Sequence, residues 1–506
     1  MNTFLNEMTR ATNVTYTENG AVARKTTESS LMDLFAFGAA YRTRSDEDCI
    51  LLFKNAFEEN EKLAMKCLFY IADARGGQGE RRFFRVCFRW LCNEHPEVAR
   101  RNLEHVPEYR RWDDLIYSTE GTPLENEAFS IIRSQLALDV QCETPSLLGK
   151  WMPSINASNL ETKRLGRKLA KYLGITEKEY RKVLSALRER IKVLEKLMSA
   201  NRWDEILFDK IPSRAGLIYK NAFARRDITA ARYEAFAKDK NTKVNADVLY
   251  PYEVVTKALK GVNYYYGGTG NNLSEIDRAM VNKYWENLPD YFEGKECSLM
   301  CVVDTSGSMN GRKASAPINV AIGLGLYCAE RLRGPFANHY ISFSSRPQLI
   351  KTEGIDFVDK VQRIYRTNLC DNTNLEAVFD LLLKTAKEPG VKKSDIPKTI
   401  VVLSDMEIDY MTRPGWVSRG YKRWTVSSAP TEMEKIRERW AAAGFELPRL
   451  VYWNVDARHN VILDAGPNVS FVSGMSPTLF KQVVTGKNGW DLMIQIICND
   501  RYEVIR

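Results

Sequence analysis

The sequence predicts a multidomain protein, with an all-α first part and a doubly wound α/β second part. Three observations predict this. From Ser30 onward, apolar residues recur at helical spacing in segments divided by proline and glycine. Beyond residue 296, short valine-rich runs alternate with helical stretches, the order that a parallel sheet with crossover helices needs. Between the two stands Tyr264-Tyr265-Tyr266-Gly267-Gly268-Thr269-Gly270-Asn271-Asn272, the strongest breaker inside the chain. The expected division is a flexible arm over 1–30, a helical domain over 31–295 and an α/β domain over 296–506.

At 506 residues the chain is long for one core. Its 44% hydrophobic and 27% charged residues are ordinary for a soluble globular protein. No apolar run approaches the ~18 residues that span a bilayer. The start, MNTFLNEMTR, lacks the basic-then-apolar pattern of a signal peptide. Ten cysteines without Cys-x-x-Cys spacing and only four histidines argue against a zinc cluster or a disulfide framework. Reduced, buried thiols in a cytoplasmic protein are the expectation. The net charge of +9 is unevenly spread: residues 150–240 carry 22 basic and 11 acidic side chains, a surplus of +11. A concentrated positive segment is what a polyanion selects.

Taken in order, residues 1–30 are polar and rich in threonine and asparagine, which reads as a loose arm. Met32, Leu34, Phe35, Phe37 and Tyr41 begin the helical pattern, and Ser45-Asp46-Glu47-Asp48 caps the next helix. Glu61–Phe69 and Arg81–Leu91 read as helices around Asp73-Ala74-Arg75-Gly76-Gly77-Gln78-Gly79-Glu80. That stretch lacks a Gly-Lys-Ser/Thr ending and comes after no strand, so a tight turn is preferred to a phosphate loop. Pro96, Pro107 and Pro123 divide the next region into short helices.

The longest periodic segment then opens on a Thr-x-x-Glu capping box, Thr176 to Glu179. Val183, Leu184, Leu187, Ile191, Leu194, Leu197 and Met198 form its apolar stripe, with Arg181, Arg188 and Lys192 on another face. A solvated face with local ion pairs to Glu189 and Glu195 is the bland reading of those three cations. The run Lys163, Arg164, Arg167, Lys168 and Lys171 before them favours a nucleic-acid face, as do Arg214, Lys220, Arg225 and Arg226 after them. Trp151, Tyr172, Tyr180 and Trp203 are interleaved aromatics that either stack bases or fill the core.

In the second part, strands are expected at 298–303, 339–343, 398–404, 449–454 and 469–473, and helices near 314–332, 374–387, 431–443 and 476–485. Trp490–Cys498 fits a strand or a helix equally. The first strand runs into Asp304-Thr305-Ser306-Gly307-Ser308-Met309. One carboxylate and two hydroxyls at alternate positions, with a glycine for the bend, supply hard oxygen ligands to one side of a small divalent cation. Open α/β sheets place ligands at such strand ends.

This loop resembles the metal-ion-dependent adhesion site (MIDAS) of von Willebrand factor A domains. The resemblance implies a threonine from a second loop and an aspartate from a third. Thr373, in Asp371-Asn372-Thr373-Asn374-Leu375, and Asp405, at the end of a second apolar strand, are the matching positions. It also implies a cation, Mg²⁺ first and Mn²⁺ or Ca²⁺ next, with a coordination position open to a partner's carboxylate.

Roughly residues 30 to 480 resemble the DUF2828 family and, more distantly, the Ro (TROVE) ribonucleoproteins. The residues that carry this are Asp73–Arg81, Pro107–Leu115, Lys150–Ser154, Glu179–Lys182 and Asp304–Met309. DUF2828 implies no activity. The Ro resemblance implies a HEAT-like ring of paired helices that binds non-coding RNA.

The expected function is therefore a non-catalytic, RNA-binding scaffold. Lys163, Arg164, Arg167, Lys168, Lys171, Arg181, Arg188 and Lys192 are the expected RNA contacts, and Asp304, Ser306, Ser308, Thr373 and Asp405 the expected metal ligands. The alternative is a metal-dependent protein-interaction adaptor without RNA. A metal-dependent nuclease fits less well, because one carboxylate among hydroxyls leaves the cation poorer in direct carboxylates than such sites require.

Overall fold

Val14 and Tyr16, then Val22, flank an Asn19-Gly20 pair, and this stretch folds as a hairpin of β1 (Val14–Tyr16) and β2 (Val22–Arg24). Gly20 takes φ +89°, a conformation that favours glycine at the turn. The computed structural model describes residues 13–259, 273–311, 315–367, 373–408, 432–464 and 466–506. Within the segment expected as a loose arm, residues 14–24 form this hairpin. The Tyr264–Asn272 breaker lies outside the described residues.

The chain divides into two units, and the division differs from the expected boundary at 295/296. One unit comprises Met1–Cys67 with Leu249–Asn499, the other Leu68–Val248 with Asp500–Arg506. Each unit is discontinuous in sequence, which a linear reading of breakers does not detect.

In the first unit, a six-stranded sheet runs in the order β5 (Leu349–Lys351), β4 (His339–Phe343), β3 (Leu299–Asp304), β6 (Thr399–Ser404), β7 (Arg449–Asn454), β8 (Val469–Ser473). All neighbours pair in parallel except β5, an antiparallel edge strand that the residue pattern did not signal. Every residue of β3, β7 and β8 is buried, because helices cover both faces of a parallel sheet. Helix Pro317–Arg331 packs so closely on β3 that a Cβ at Gly325 would lie 2.4 Å from Val303 Cγ2. Gly489–Ile497 is a helix, which decides the ambiguous Trp490–Cys498.

Two segments expected in the helical domain belong to this unit. Helix Ser30–Phe37 buries Leu31, Met32, Leu34, Phe35 and Phe37, and Ser473 of β8 donates to the Phe35 carbonyl at 3.1 Å. Helix Glu275–Glu286 holds Asp356 through both Nε and Nη2 of Arg278 at 2.7 Å, and its Trp285 stacks on Phe357 with centroids 4.0 Å apart.

The second unit is helical. Phe69 meets Phe84 and Tyr109 edge-on at 5.3 Å, and Phe208 packs with Phe223 and Tyr233 at 5.5 and 5.1 Å. The glycine-rich stretch after Asp73 is a turn. Asp73 accepts the Arg75 and Gly76 N–H groups at 2.9 and 3.1 Å, and a Cβ on Gly77 would lie 1.9 Å from the Tyr70 carbonyl oxygen. The apolar stripe beyond Thr176 is not one helix. Helix Glu177–Arg190 ends, Lys192 takes φ +49°, and a new helix covers Leu194–Ser199.

Candidate metal centre and basic face

Strands β3 and β6 lie side by side at the centre of the sheet and end in Asp304 and Ser404-Asp405. The chain leaves β3 toward β4 on one side and returns at β6 on the other, the arrangement that opens a crevice at the carboxyl ends. Asp304 and Asp405 are 0% and 1% exposed. Asp304 Oδ1 accepts the Ser306 N–H at 2.9 Å, and Oδ2 accepts the Ser404 hydroxyl at 2.5 Å. Ser306 Oγ and Ser308 Oγ are 3.0 Å apart, and Ser308 hydrogen-bonds Asp405. The first and third loops therefore converge.

Burial, and then the charge of Asp405, pushes the Asp304 carboxyl up to about 7, against the hydrogen bonds from Ser404 and Ser306. Burial also raises Asp405, although Arg458 opposes it with Nη2 at 2.7 Å from Oδ2. Two buried carboxylates within electrostatic reach of each other favour either a proton or a cation beside them. With two serine hydroxyls alongside, the donor set is all hard oxygen and fits Mg²⁺ or Mn²⁺. Among the described residues, no three His, Cys, Asp or Glu side chains gather as a zinc or carboxylate-rich two-metal site would need.

Thr373 is 1% exposed and lies just before helix Leu375–Ala386, which Asn374 caps. Its hydroxyl donates to the Glu407 carbonyl at 3.1 Å, two residues beyond Asp405. The second loop thus joins the third. Asp371 and Asn372, grouped with Thr373 in the sequence, lie outside the described residues. Glu407 is itself fully buried, with His459 Nδ1 at 2.8 Å from Oε1.

The eight expected RNA contacts fare unequally. On helix Leu160–Leu173, Arg164 pairs with Glu161 at 2.5 Å and with Glu120, Arg167 with Glu177 at 3.1 Å, and Lys168 with Glu125 and Glu120. Lys163 is half-buried and Lys171 exposed. Arg188 is a correction. Its Nε, Nη1 and Nη2 donate to Gly149 O, Ser154 Oγ and Met152 O at 2.8, 2.9 and 3.0 Å, so it fastens the Lys150–Ser154 stretch. Lys192 stays exposed, but the shared face is corrected: it sits in the turn after the helix, apart from Arg181. Arg181, Lys171 and Lys192 remain exposed.

Family models match most of the chain. Residues 17–112 and 156–294 match DUF2828, and residues 298–493 match DUF7788, each described as a domain of unknown function. The chain carries a DUF2828 region followed by a DUF7788 region. The curated "Uncharacterized protein L728" of Acanthamoeba polyphaga mimivirus is 27% identical over 96% of this chain and 87% of its own length. Among solved structures, the Ro (RSR) protein of Deinococcus radiodurans is similar at 12% identity and a TM-score of 0.48, covering 90% of this chain and 99% of that one.

Ser404, Glu407, Arg458 and His459 of the DUF7788 region were not among the residues expected from the sequence. The signal was positional. All four lie at or just beyond the carboxyl ends of β6 and β7, the edge of the sheet where the metal loops were already expected. Charge pairing in the DUF2828 region escaped for another reason. Glu120 and Glu125, which neutralise Arg164 and Lys168, fall outside the basic 150–240 segment.

Proposed function

We propose that this chain is a non-catalytic scaffold whose DUF7788 region captures a partner's carboxylate through a hard divalent cation. The observation that carries this reading is the buried Asp304–Asp405 pair with Ser306 and Ser308 beside it. Neutral hydroxyls among the ligands leave a bound cation electrophilic, and an acidic side chain of a partner protein is the ligand that suits it. Asp304, Ser306, Ser308, Thr373 and Asp405 would hold the ion. Mn²⁺ titration of wild type and Asp304→Ala tests the site, and partner capture from the source cells with and without chelator tests the use. Retention of Mn²⁺ binding in Asp304→Ala rejects the reading.

RNA binding by the helical unit is a second reading, favoured by the surplus of +11 in residues 150–240 and the exposure of Lys171, Arg181 and Lys192. It stands second because Arg164, Arg167, Lys168 and Arg188 already have protein partners. The nine cysteines described are all free thiols, which suits a reducing compartment such as the cytoplasm. No helix among the described residues is long and apolar enough to cross a membrane.

A further inference from the structure

The tip of the amino-terminal hairpin and its second strand lie in the DUF2828-matched stretch, yet the tip touches the loops of the candidate cation site. Asn19 Nδ2 donates to the Glu407 carbonyl at 2.8 Å and lies 3.5 Å from Thr373 Oγ1. The Glu18 N–H donates to Glu407 Oε2 at 2.7 Å, and the Thr17 hydroxyl to the Ile408 carbonyl at 2.5 Å. The Glu18 carboxylate meets Arg458 Nη1 at 3.2 Å, while Nη2 of the same guanidinium holds Asp405. The hairpin is anchored independently, through paired backbone hydrogen bonds between Arg24 and Ile462 at 2.8 and 2.9 Å.

We infer that the hairpin tip, Thr17–Gly20, is a fourth loop of the cation site, with Asn19 as the positioning residue for Thr373. This rests on the cation reading above. A hydroxyl binds a metal through a lone pair, so its proton must be directed elsewhere. Thr373 directs its proton to the Glu407 carbonyl, and Asn19 Nδ2 donates to that same carbonyl and, at 3.5 Å, toward one lone pair of the hydroxyl oxygen, leaving the other for a cation. Glu18 acts on the other loop, since it shares Arg458 with Asp405 and so fixes the guanidinium that orients this carboxylate. Groups that orient ligands in this way are worth roughly 10–100-fold in metal affinity.

The test is Mn²⁺ titration of the full chain in wild type, Asn19→Ala, Glu18→Gln and Asp304→Ala, with thermal unfolding in chelator as a second readout. Asn19→Ala is expected to weaken Mn²⁺ about tenfold. Glu18→Gln, which keeps the backbone donor to Glu407, is expected to weaken it by about the same factor, roughly tenfold, with unfolding in chelator unchanged. If Asp304→Ala abolishes binding while Asn19→Ala and Glu18→Gln titrate as wild type, the hairpin is structural only and this inference is overturned. If Asp304→Ala itself leaves binding intact, the cation reading falls and takes the inference with it.

Discussion

Arg501 donates through Nε and Nη2 to the carboxylate of Asp73, 428 residues earlier in the chain. Asp73 is 0% exposed and also accepts from the Tyr502 hydroxyl at 3.0 Å. Tyr109 donates to the Arg501 carbonyl, and the Arg506 N–H donates to Asn102 at 2.8 Å. The glycine-rich turn is therefore a socket for residues 500–506. A Cβ on Gly76 would lie 2.9 Å from the Arg501 side chain, which explains a glycine there.

Removing one partner of such a pair leaves the other buried and unmatched. Arg501→Ala is expected to destabilise the helical unit by about 3 kcal/mol, since truncating a buried ion pair costs roughly 3–5 and Arg501 is partly exposed. Chemical denaturation followed by far-ultraviolet circular dichroism measures it. A change under ~0.5 kcal/mol, the size of an ordinary surface substitution, would show that the tail only rests on the socket.

Mn²⁺ binding should vanish in Asp304→Ala, which removes the carboxylate of the first loop. In Thr373→Ala and Asp405→Ala it should weaken by smaller factors. Isothermal titration separates these. Equal loss in all three would mean that the loops form as one unit, and no loss in Asp304→Ala would remove the site.

The pH dependence of the metal-free protein has a definite sign. Asp304 keeps its proton to about 7 when folded, against roughly 3.9 for an unfolded aspartate. Between those values the folded state binds more protons, so this group's contribution to stability is present at low pH and lost as pH rises toward and past 7. In chelator, the stability of Asp304→Asn relative to wild type should therefore increase from about pH 4 to about pH 8. A flat difference would show that the folded protein ionises Asp304 well below 7 in spite of its burial and the nearby Asp405.

If the helical unit binds RNA, reversing Lys171, Arg181 and Lys192 to glutamate should flatten the salt dependence of log affinity. The expected change is about two to three units in slope, roughly 0.7–0.9 per lost contact. Filter binding across a salt series reads it, and an unchanged slope would move the RNA face elsewhere. Arg188→Ala tests the opposite role. It removes donors from Gly149, Met152 and Ser154 and should lower stability by about 2–3 kcal/mol, with the salt slope untouched.

Five parallel-sheet strands, the Asp304 loop with its partner strand end at Asp405, and the capping box of Thr176 were all legible in the residue order. Each depends on local physics. Valine-rich runs bury on both faces, a strand end with Asp-x-Ser-x-Ser clusters its oxygens within a few residues, and a cap satisfies N–H groups three positions away. The hairpin was not read from the sequence, although Asn19-Gly20 marks a turn there. Its polar composition led to the reading of a loose arm instead. Which distant segments meet was settled by folding alone: Asn19 with Thr373, Arg501 with Asp73, Arg164 with Glu120, and Arg188 with the Gly149 carbonyl. A count of charge along the chain treats each cation as free, whereas folding sets it against acids and carbonyls from anywhere in the sequence. Periodicity records which side of an element is buried and carries no record of what covers it.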